Sequence, residues 1–170
     1  MLARNETIIK WALYAAVSLL WVGLQGAFFQ RLELLGVIPF VYPLLAAIPA
    51  TYEAPAPGTA FALCVGVFCD LLLPAPLPCF YTLVFPAAGL CAALLSQGVL
   101  PAGFLCSAVS ALAAFLLTGL FHCLLLSING QGAWEAGLRT MALEALVTLP
   151  LALPATAAYR WVYRRTHLDD

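Results

Sequence analysis

Charged side chains are scarce in this sequence. Asp, Glu, Lys and Arg together make up 9% of the 170 residues, whereas 64% of the residues are hydrophobic. A water-soluble domain needs a surface that is about 25–35% charged, so this chain lacks the residues for a polar shell. The net charge of −1 also excludes an electrostatic surface for nucleic acid, which needs a clear excess of Lys and Arg. The composition therefore predicts a chain that dissolves in lipid.

Motifs for catalysis and metal binding are also absent from the sequence. It contains no HExxH, no CxxC, no glycine-rich phosphate loop and no nucleophile–base constellation. The six cysteines lie mostly within apolar runs, where we interpret them as small packing residues rather than disulfide partners. We therefore expect no enzyme, no cofactor and no metal site.

What the chain does contain is a series of long apolar runs separated by prolines, glycines and a few charges. A membrane-crossing helix needs about 20 mainly apolar residues. The runs are rich in Leu and Ala and apolar on all sides, which favours helices over the alternating strands of a membrane barrel. We predict one all-α, polytopic membrane domain over residues 1–170, a compact bundle of six transmembrane helices. The predicted spans are 11–29, 34–50, 58–73, 79–96, 102–127 and 139–163.

The distribution of basic residues predicts the orientation of this bundle. An even number of spans places both termini on one side of the membrane. That side then carries Arg4, Lys10, Arg160, Arg164 and Arg165, whereas the other side carries Arg31 and Arg139. Lys and Arg are enriched in cytoplasmic flanks, so we predict that both termini are cytoplasmic.

Asp70 is the most unusual residue, because it lies near the end of the third apolar span. A carboxylate at the centre of a membrane helix costs about 2.5–3.5 kcal/mol on insertion scales, and the dipole at a helix C-terminus disfavours negative charge. We predict that Asp70 pairs with Arg139 or Arg31, which would join the first, third and sixth spans. The alternatives are a carboxylate that faces water at the loop, or a role in binding a substrate or a proton.

Small and ionisable residues elsewhere suggest further structural positions. Gly58 and Gly66 precede Asp70 at helical spacing, which predicts close packing of helices, more often within the chain than with a partner. Glu144 needs a partner if it lies within the outer leaflet. His122 stands alone in an apolar span, where a hydrogen-bonded packing role is favoured over a proton relay.

A set of short motifs in residues 25–73 resembles the rod shape-determining protein MreD family. They are a glutamine late in the first span, a Pro-containing opening of the second span, an acidic residue before the third span and a Gly-x-x-x-Asp-Leu-Leu end of the third span. In this sequence these are Gln25, Leu35-Gly-Val-Ile-Pro39, Tyr52-Glu53, Gly58 and Gly66-Val-Phe-Cys-Asp70-Leu-Leu. The chain departs from the family pattern at Leu77-Pro78, where the family has a Leu-Gly pair.

The resemblance implies a non-catalytic component of the bacterial cell-elongation (rod) complex in the cytoplasmic membrane. Such a protein controls cell shape and lateral peptidoglycan synthesis. The implied partners are membrane lipid, MreC, a RodA-type glycosyltransferase with its class B transpeptidase, and the cytoplasmic filament protein MreB.

The alternative is the substrate-binding subunit of an energy-coupling-factor vitamin transporter, a class to which the MreD fold is similar. Those subunits hold a ligand near the outer side, and Ala12 and Ala16 fit the Ala-x-x-x-Ala motif by which they contact their partner. The polar residues predicted on the outer side are Arg31, Asp70, Asn129, Glu135, Arg139 and Glu144.

Overall fold

The chain folds into helices joined by short turns. The computed structural model describes residues 2–74, 77–128, 130 and 134–166. Within them the helices are α1 (Leu2–Ala27), α2 (Tyr42–Ala50), α3 (Pro55–Leu72), α4 (Phe80–Gly98), α5 (Phe104–Ile128), α6 (Trp134–Thr148) and α7 (Ala152–Thr166). A 3-10 turn at Leu149–Leu151 joins α6 to α7, because Pro150 and Pro154 have no N–H to donate to the helix.

Five helical segments in the described residues are long and apolar enough to cross a membrane: α1, α3, α4, α5 and the joined α6–α7. The prediction of an all-α, multi-pass membrane bundle is confirmed. The last segment covers Trp134–Thr166, so it begins before the predicted span 139–163 and is broken in its middle.

The second predicted span is different from the expected helix. Leu35 and Gly36 have positive φ values of 57° and 79°, and they form a tight turn closed by backbone hydrogen bonds between Leu34 and Val37. Regular helix begins only at Tyr42 and lasts nine residues. A helix of that length rises about 14 Å, half of a membrane core of about 30 Å. The prediction of a full transmembrane helix over 34–50 is therefore corrected to an extended segment followed by a half-length helix.

The short helix α2 lies at the centre of the bundle. All nine of its residues are buried, and it packs against α1, α3, α4, α5 and α7. Leu44, Leu45 and Ile48 are among the largest fully buried side chains. The six cysteines are free thiols, and Cys69, Cys106 and Cys123 are buried in this packing.

Hydrogen bonds at both ends show that the second segment runs alongside α1 from Gln25 to Lys10. The Gln25 amide binds the backbone at Pro39 and Val41, and Glu53 binds Lys10. Lys10 and Gln25 are separated by about 22 Å along α1 at 1.5 Å per residue. The extended stretch and α2 together cover this distance in the opposite direction, so the chain still traverses the bundle six times.

The bundle has two ends, which we name by their residues. The Lys10 end holds the start of α1, the α2–α3 turn and the end of α7, where the rings of Tyr52 and Tyr163 lie 5.5 Å apart. The Asp70 end holds the α3–α4 turn, the end of α5 and the start of α6. The beginning of α1 and the end of α7 therefore lie at the same end.

Candidate functional site

Asp70 caps the first turn of α4. Its carboxylate accepts hydrogen bonds from the backbone N–H groups of Tyr81 (3.0 Å) and Thr82 (2.8 Å) and from the Thr82 hydroxyl. These N–H groups have no partner within their own helix, and the helix dipole places partial positive charge there. The negative charge of Asp70 is thus stabilised by the backbone of the next helix.

This arrangement overturns the predicted pairing of Asp70 with arginine. Arg31 and Arg139 are both exposed, and the one ion pair among the described residues joins Lys10 to Glu53. The partner of Asp70 is a helix N-terminus, eleven residues further along the chain. Glu135 is exposed as well, and the described residues contain no ion pair between it and Arg139.

Gly66 lies against the same two residues that Asp70 binds. A Cβ atom on Gly66 would stand 2.5 Å from the Tyr81 carbonyl oxygen and 2.9 Å from the Thr82 Cα, closer than atoms approach in proteins. The glycine lets the α4 backbone come near enough for the cap to form. We call Gly66, Asp70, Tyr81 and Thr82 the α3–α4 clasp.

Gly58 plays the equivalent part between α3 and α2. A Cβ atom there would lie 3.1 Å from the Cα of Ala50. The small residues of the predicted packing face are therefore used inside the chain, Gly58 against α2 and Gly66 against α4.

A buried polar cluster joins α1 to the α2–α3 turn and to α7. The Lys10 ammonium lies 2.8 Å from Glu53, whose side chain is 7% exposed, and the Tyr14 hydroxyl donates to the other Glu53 oxygen. Ser18 and Tyr159 share a second hydrogen bond of 2.8 Å. The cluster was missed as a site from the sequence. Its signal is that Glu53 is the sole acidic residue between Glu33 and Asp70.

The backbone of the extended segment is satisfied by side chains from distant helices. Gln25 donates to the Pro39 carbonyl (2.7 Å) and accepts from the Val41 N–H (3.3 Å). The Phe40 N–H donates to the Thr148 hydroxyl at 3.0 Å. Non-helical backbone is tolerated at membrane depth only where the protein supplies such partners. These contacts therefore allow the chain to stay extended before α2.

A cavity of about 340 Å³ is lined mainly by the second half of α5 and by α6. It brings Glu144 together with His122, Tyr81 and Thr140, and the Glu144 side chain is half-buried. Of the residues predicted as sites, Glu144 alone is among those that line it. Asn129 lies outside the described residues.

The most open surface of the bundle belongs to α1. In the most apolar stretch of α1, 11% of the residues are buried, against 28% to 44% in the corresponding stretches of the other four spans. Small residues recur along its outer side, and no atom lies within 4 Å of the Cβ position on either of its glycines. We define the α1 face as the exposed residues Ala12, Ala16, Leu19, Gly23 and Gly26.

An apolar groove of about 210 Å³ runs beside the α1 face, between α1 and α3. Leu19 and Val22 of α1 form one wall, Cys64 and Phe68 of α3 form the other, and Leu45 of α2 lies between them. This α1–α3 groove and the α1 face together offer a continuous apolar surface.

The described residues contain no group of three or more His, Cys, Asp or Glu side chains that could hold a metal ion. No family model, no curated protein and no solved structure matches this chain.

Proposed function

We propose that this chain is a non-catalytic component of the bacterial cell-elongation complex, which controls cell shape and lateral peptidoglycan synthesis by binding MreC and the wall synthases. The observation that carries the proposal is the α1 face, a stripe of small residues on a helix with few neighbours. In lipid there is no hydrophobic drive between helices, and small residues promote association because they allow close backbone contact.

The residues that carry the resemblance to the MreD family support a structural role. Gln25 and Glu53 hold the two ends of the second segment against α1. Gly58 packs against α2, and Gly66 and Asp70 form the clasp with α4. The polar groups of Gln25, Glu53 and Asp70 are thus hydrogen-bonded within the fold, which supports a structural role for these residues.

The transmembrane helix of MreC is the proposed occupant of the α1 face, with its side chains entering the α1–α3 groove. The RodA-type glycosyltransferase and its class B transpeptidase then associate through the assembled helices, and MreB associates from the cytoplasmic side. This division leaves all catalysis to the partners.

The proposed location is the bacterial cytoplasmic membrane, with both termini in the cytoplasm. Lys10, Arg160, Arg164 and Arg165 cluster at the Lys10 end, and the enrichment of basic residues in cytoplasmic flanks supports this orientation.

Co-purification with MreC after gentle detergent extraction tests the proposal. Ala16→Leu and Gly23→Leu fill the α1 face, so we expect each to reduce the amount of MreC recovered by several-fold. Ala87→Leu is the matched control, because Ala87 is an exposed small residue on α4. Equal recovery of MreC with all three variants would remove the α1 face from the proposal, and no recovery with the unmodified chain would overturn the function.

The transporter alternative is favoured by one observation, the cavity that contains Glu144. Its volume of about 340 Å³ falls in the range of small-molecule sites, about 300–1,000 Å³. Mass spectrometry of the purified protein tests this alternative. A bound small molecule that is lost in Glu144→Gln but kept in Glu135→Gln would support it.

A further inference from the structure

A second cavity, of about 370 Å³, lies at the Lys10 end between α7 and the start of α5. Its main lining residues are Phe104, Leu153, Thr156, Arg160, Trp161 and Arg164. It is separate from the α1 face and from the cavity of Glu144, so nothing in the proposed function uses it.

Two guanidinium groups line this cavity, those of Arg160 and Arg164. Arg160 and Arg164 are one helical turn apart on α7, so they project from the same side of the helix. No Asp or Glu is among the described residues that line the cavity, and the ion pair found in the described residues lies elsewhere, at Lys10. Guanidinium groups bind phosphate oxygens through paired N–H donors, so the cavity is suited to a phosphate.

A buried hydroxyl in the cavity wall also lacks a partner. Thr156 is 4% exposed, and its oxygen makes no hydrogen bond within the described structure. It lies one turn before Arg160 and lines the same cavity. Buried hydroxyls in proteins are nearly always hydrogen-bonded. The Thr156 hydroxyl is therefore free to donate a hydrogen bond to an acceptor on a molecule that occupies the cavity.

The remaining lining distinguishes a lipid from a soluble phosphate. Phe104 and Leu153 form an apolar side of the cavity, and Trp161 is 53% exposed beside the arginines. Tryptophan is enriched at the level of lipid headgroups. From the two arginines, the unpartnered threonine and this apolar side, we infer that the cavity binds the phosphate headgroup of an anionic phospholipid in the leaflet at the Lys10 end.

Lipid titration of the purified, delipidated chain, followed by native mass spectrometry, tests the inference. The probes are dioleoyl-phosphatidylglycerol and, as the zwitterionic comparison, dioleoyl-phosphatidylcholine. We expect phosphatidylglycerol to bind more tightly. Arg160→Gln and Arg164→Gln should each weaken its binding by about fivefold, since one basic residue at an anionic membrane surface contributes about that factor.

Arg165→Gln is the matched control for charge. Arg165 is next to Arg164 but lies over the Trp161 ring at 5.1 Å and does not line the cavity. A loss of affinity in Arg165→Gln equal to that in Arg164→Gln would overturn the site, because it would show a diffuse attraction. Displacement of phosphatidylglycerol by an equal concentration of inorganic phosphate would overturn the lipid as the ligand.

Thr156→Val separates a binding role of the hydroxyl from a packing role. The variant keeps the shape of the side chain and removes the unpaired oxygen, so we expect a rise in the melting temperature together with about threefold weaker phosphatidylglycerol binding. An unchanged lipid affinity with the same rise in melting temperature would overturn the assignment of Thr156 to the site.

Discussion

At the scale of single residues, Asp70 shows how a carboxylate in a helical membrane protein is accommodated by the N-terminus of the next helix. Three donors from the first turn of α4 surround it. Hydrogen bonds to a charged acceptor are stronger than those between neutral groups, and the partial positive charge of the helix N-terminus adds to them. The charge is therefore used to fix the start of a helix.

Removal of this carboxylate should destabilise the protein, whereas removal of the arginines should not. We expect Asp70→Ala to lower the free energy of unfolding by about 2 kcal/mol, the upper range for loss of a helix cap. Arg31→Ala and Arg139→Ala should stay within about 0.5 kcal/mol of the unmodified chain, because both side chains are exposed. Denaturant unfolding in detergent measures all three. A large loss in Arg139→Ala would restore the pairing that the sequence suggested.

Cys79 offers a second test at this scale, because it precedes α4 with a left-handed φ of 61°. This conformation costs a non-glycine residue about 1–2 kcal/mol, so Cys79→Gly should raise the melting temperature. Cys91→Gly is the matched control. Cys91 is an exposed cysteine inside α4, where glycine should lower stability by up to about 1 kcal/mol. Destabilisation by both substitutions would contradict the assigned strain.

The sequence identifies some of these residues but not their partners. Asp70 stands out because a charge in an apolar run is costly, and Gly58 and Gly66 stand out by their spacing. The pairing failed because side-chain charges suggest other side chains as partners, whereas Asp70 binds backbone N–H groups that every residue carries. Lys10 and Glu53 are 43 residues apart, so their contact depends on the whole fold.

At the scale of elements, the segment 34–50 shows that hydropathy alone does not predict whether an apolar segment is helical. The segment 34–50 is as apolar as the helical spans, and apolar residues favour burial without choosing between helix and extended chain. The break is set by the turn at Leu35–Gly36 and by side chains from elsewhere, Gln25 and Thr148, that satisfy the extended backbone. The third, fourth and fifth predicted spans lie close to α3, α4 and α5 because proline or glycine follows or ends each of these helices.

The close approach of α3 and α4 predicts that a larger residue at Gly66 destabilises the protein. Gly66→Ala should lower the free energy of unfolding by about 1–3 kcal/mol, the usual effect of overpacking, because the added methyl meets the backbone of Tyr81. Gly26→Ala on α1 is the control. Its Cβ position is open, so alanine should stabilise the helix by up to about 1 kcal/mol. Equal effects of the two substitutions on thermal unfolding would contradict the clasp.

At the scale of the whole molecule, six traverses of the bundle place the Asp70 end and the Lys10 end opposite each other. The exposed Cys79 lies at the Asp70 end, and Arg165 lies at the Lys10 end. With both termini in the cytoplasm, as we propose, a membrane-impermeant maleimide should label Cys79 in intact cells. It should label an Arg165→Cys variant, made in a Cys79→Ser background, only after the cells are permeabilised.

Cys64 and Cys91 serve as internal controls for this labelling. Both are exposed on the sides of α3 and α4, two helices that are long and apolar enough to cross a membrane, so a reagent confined to water should not reach them. Labelling of Cys79 and of the Arg165→Cys variant from the same side of the membrane would contradict the six traverses.

The extended backbone before α2 has a consequence for biosynthesis. One of its donors, the Phe40 N–H, is satisfied by Thr148, which the ribosome makes more than a hundred residues later. Until the final helix arrives, that amide is left without its partner in a medium that offers no water. This hydrogen bond can therefore form only after the last segment of the chain has been synthesised, so the packing of the extended segment is completed late in biosynthesis.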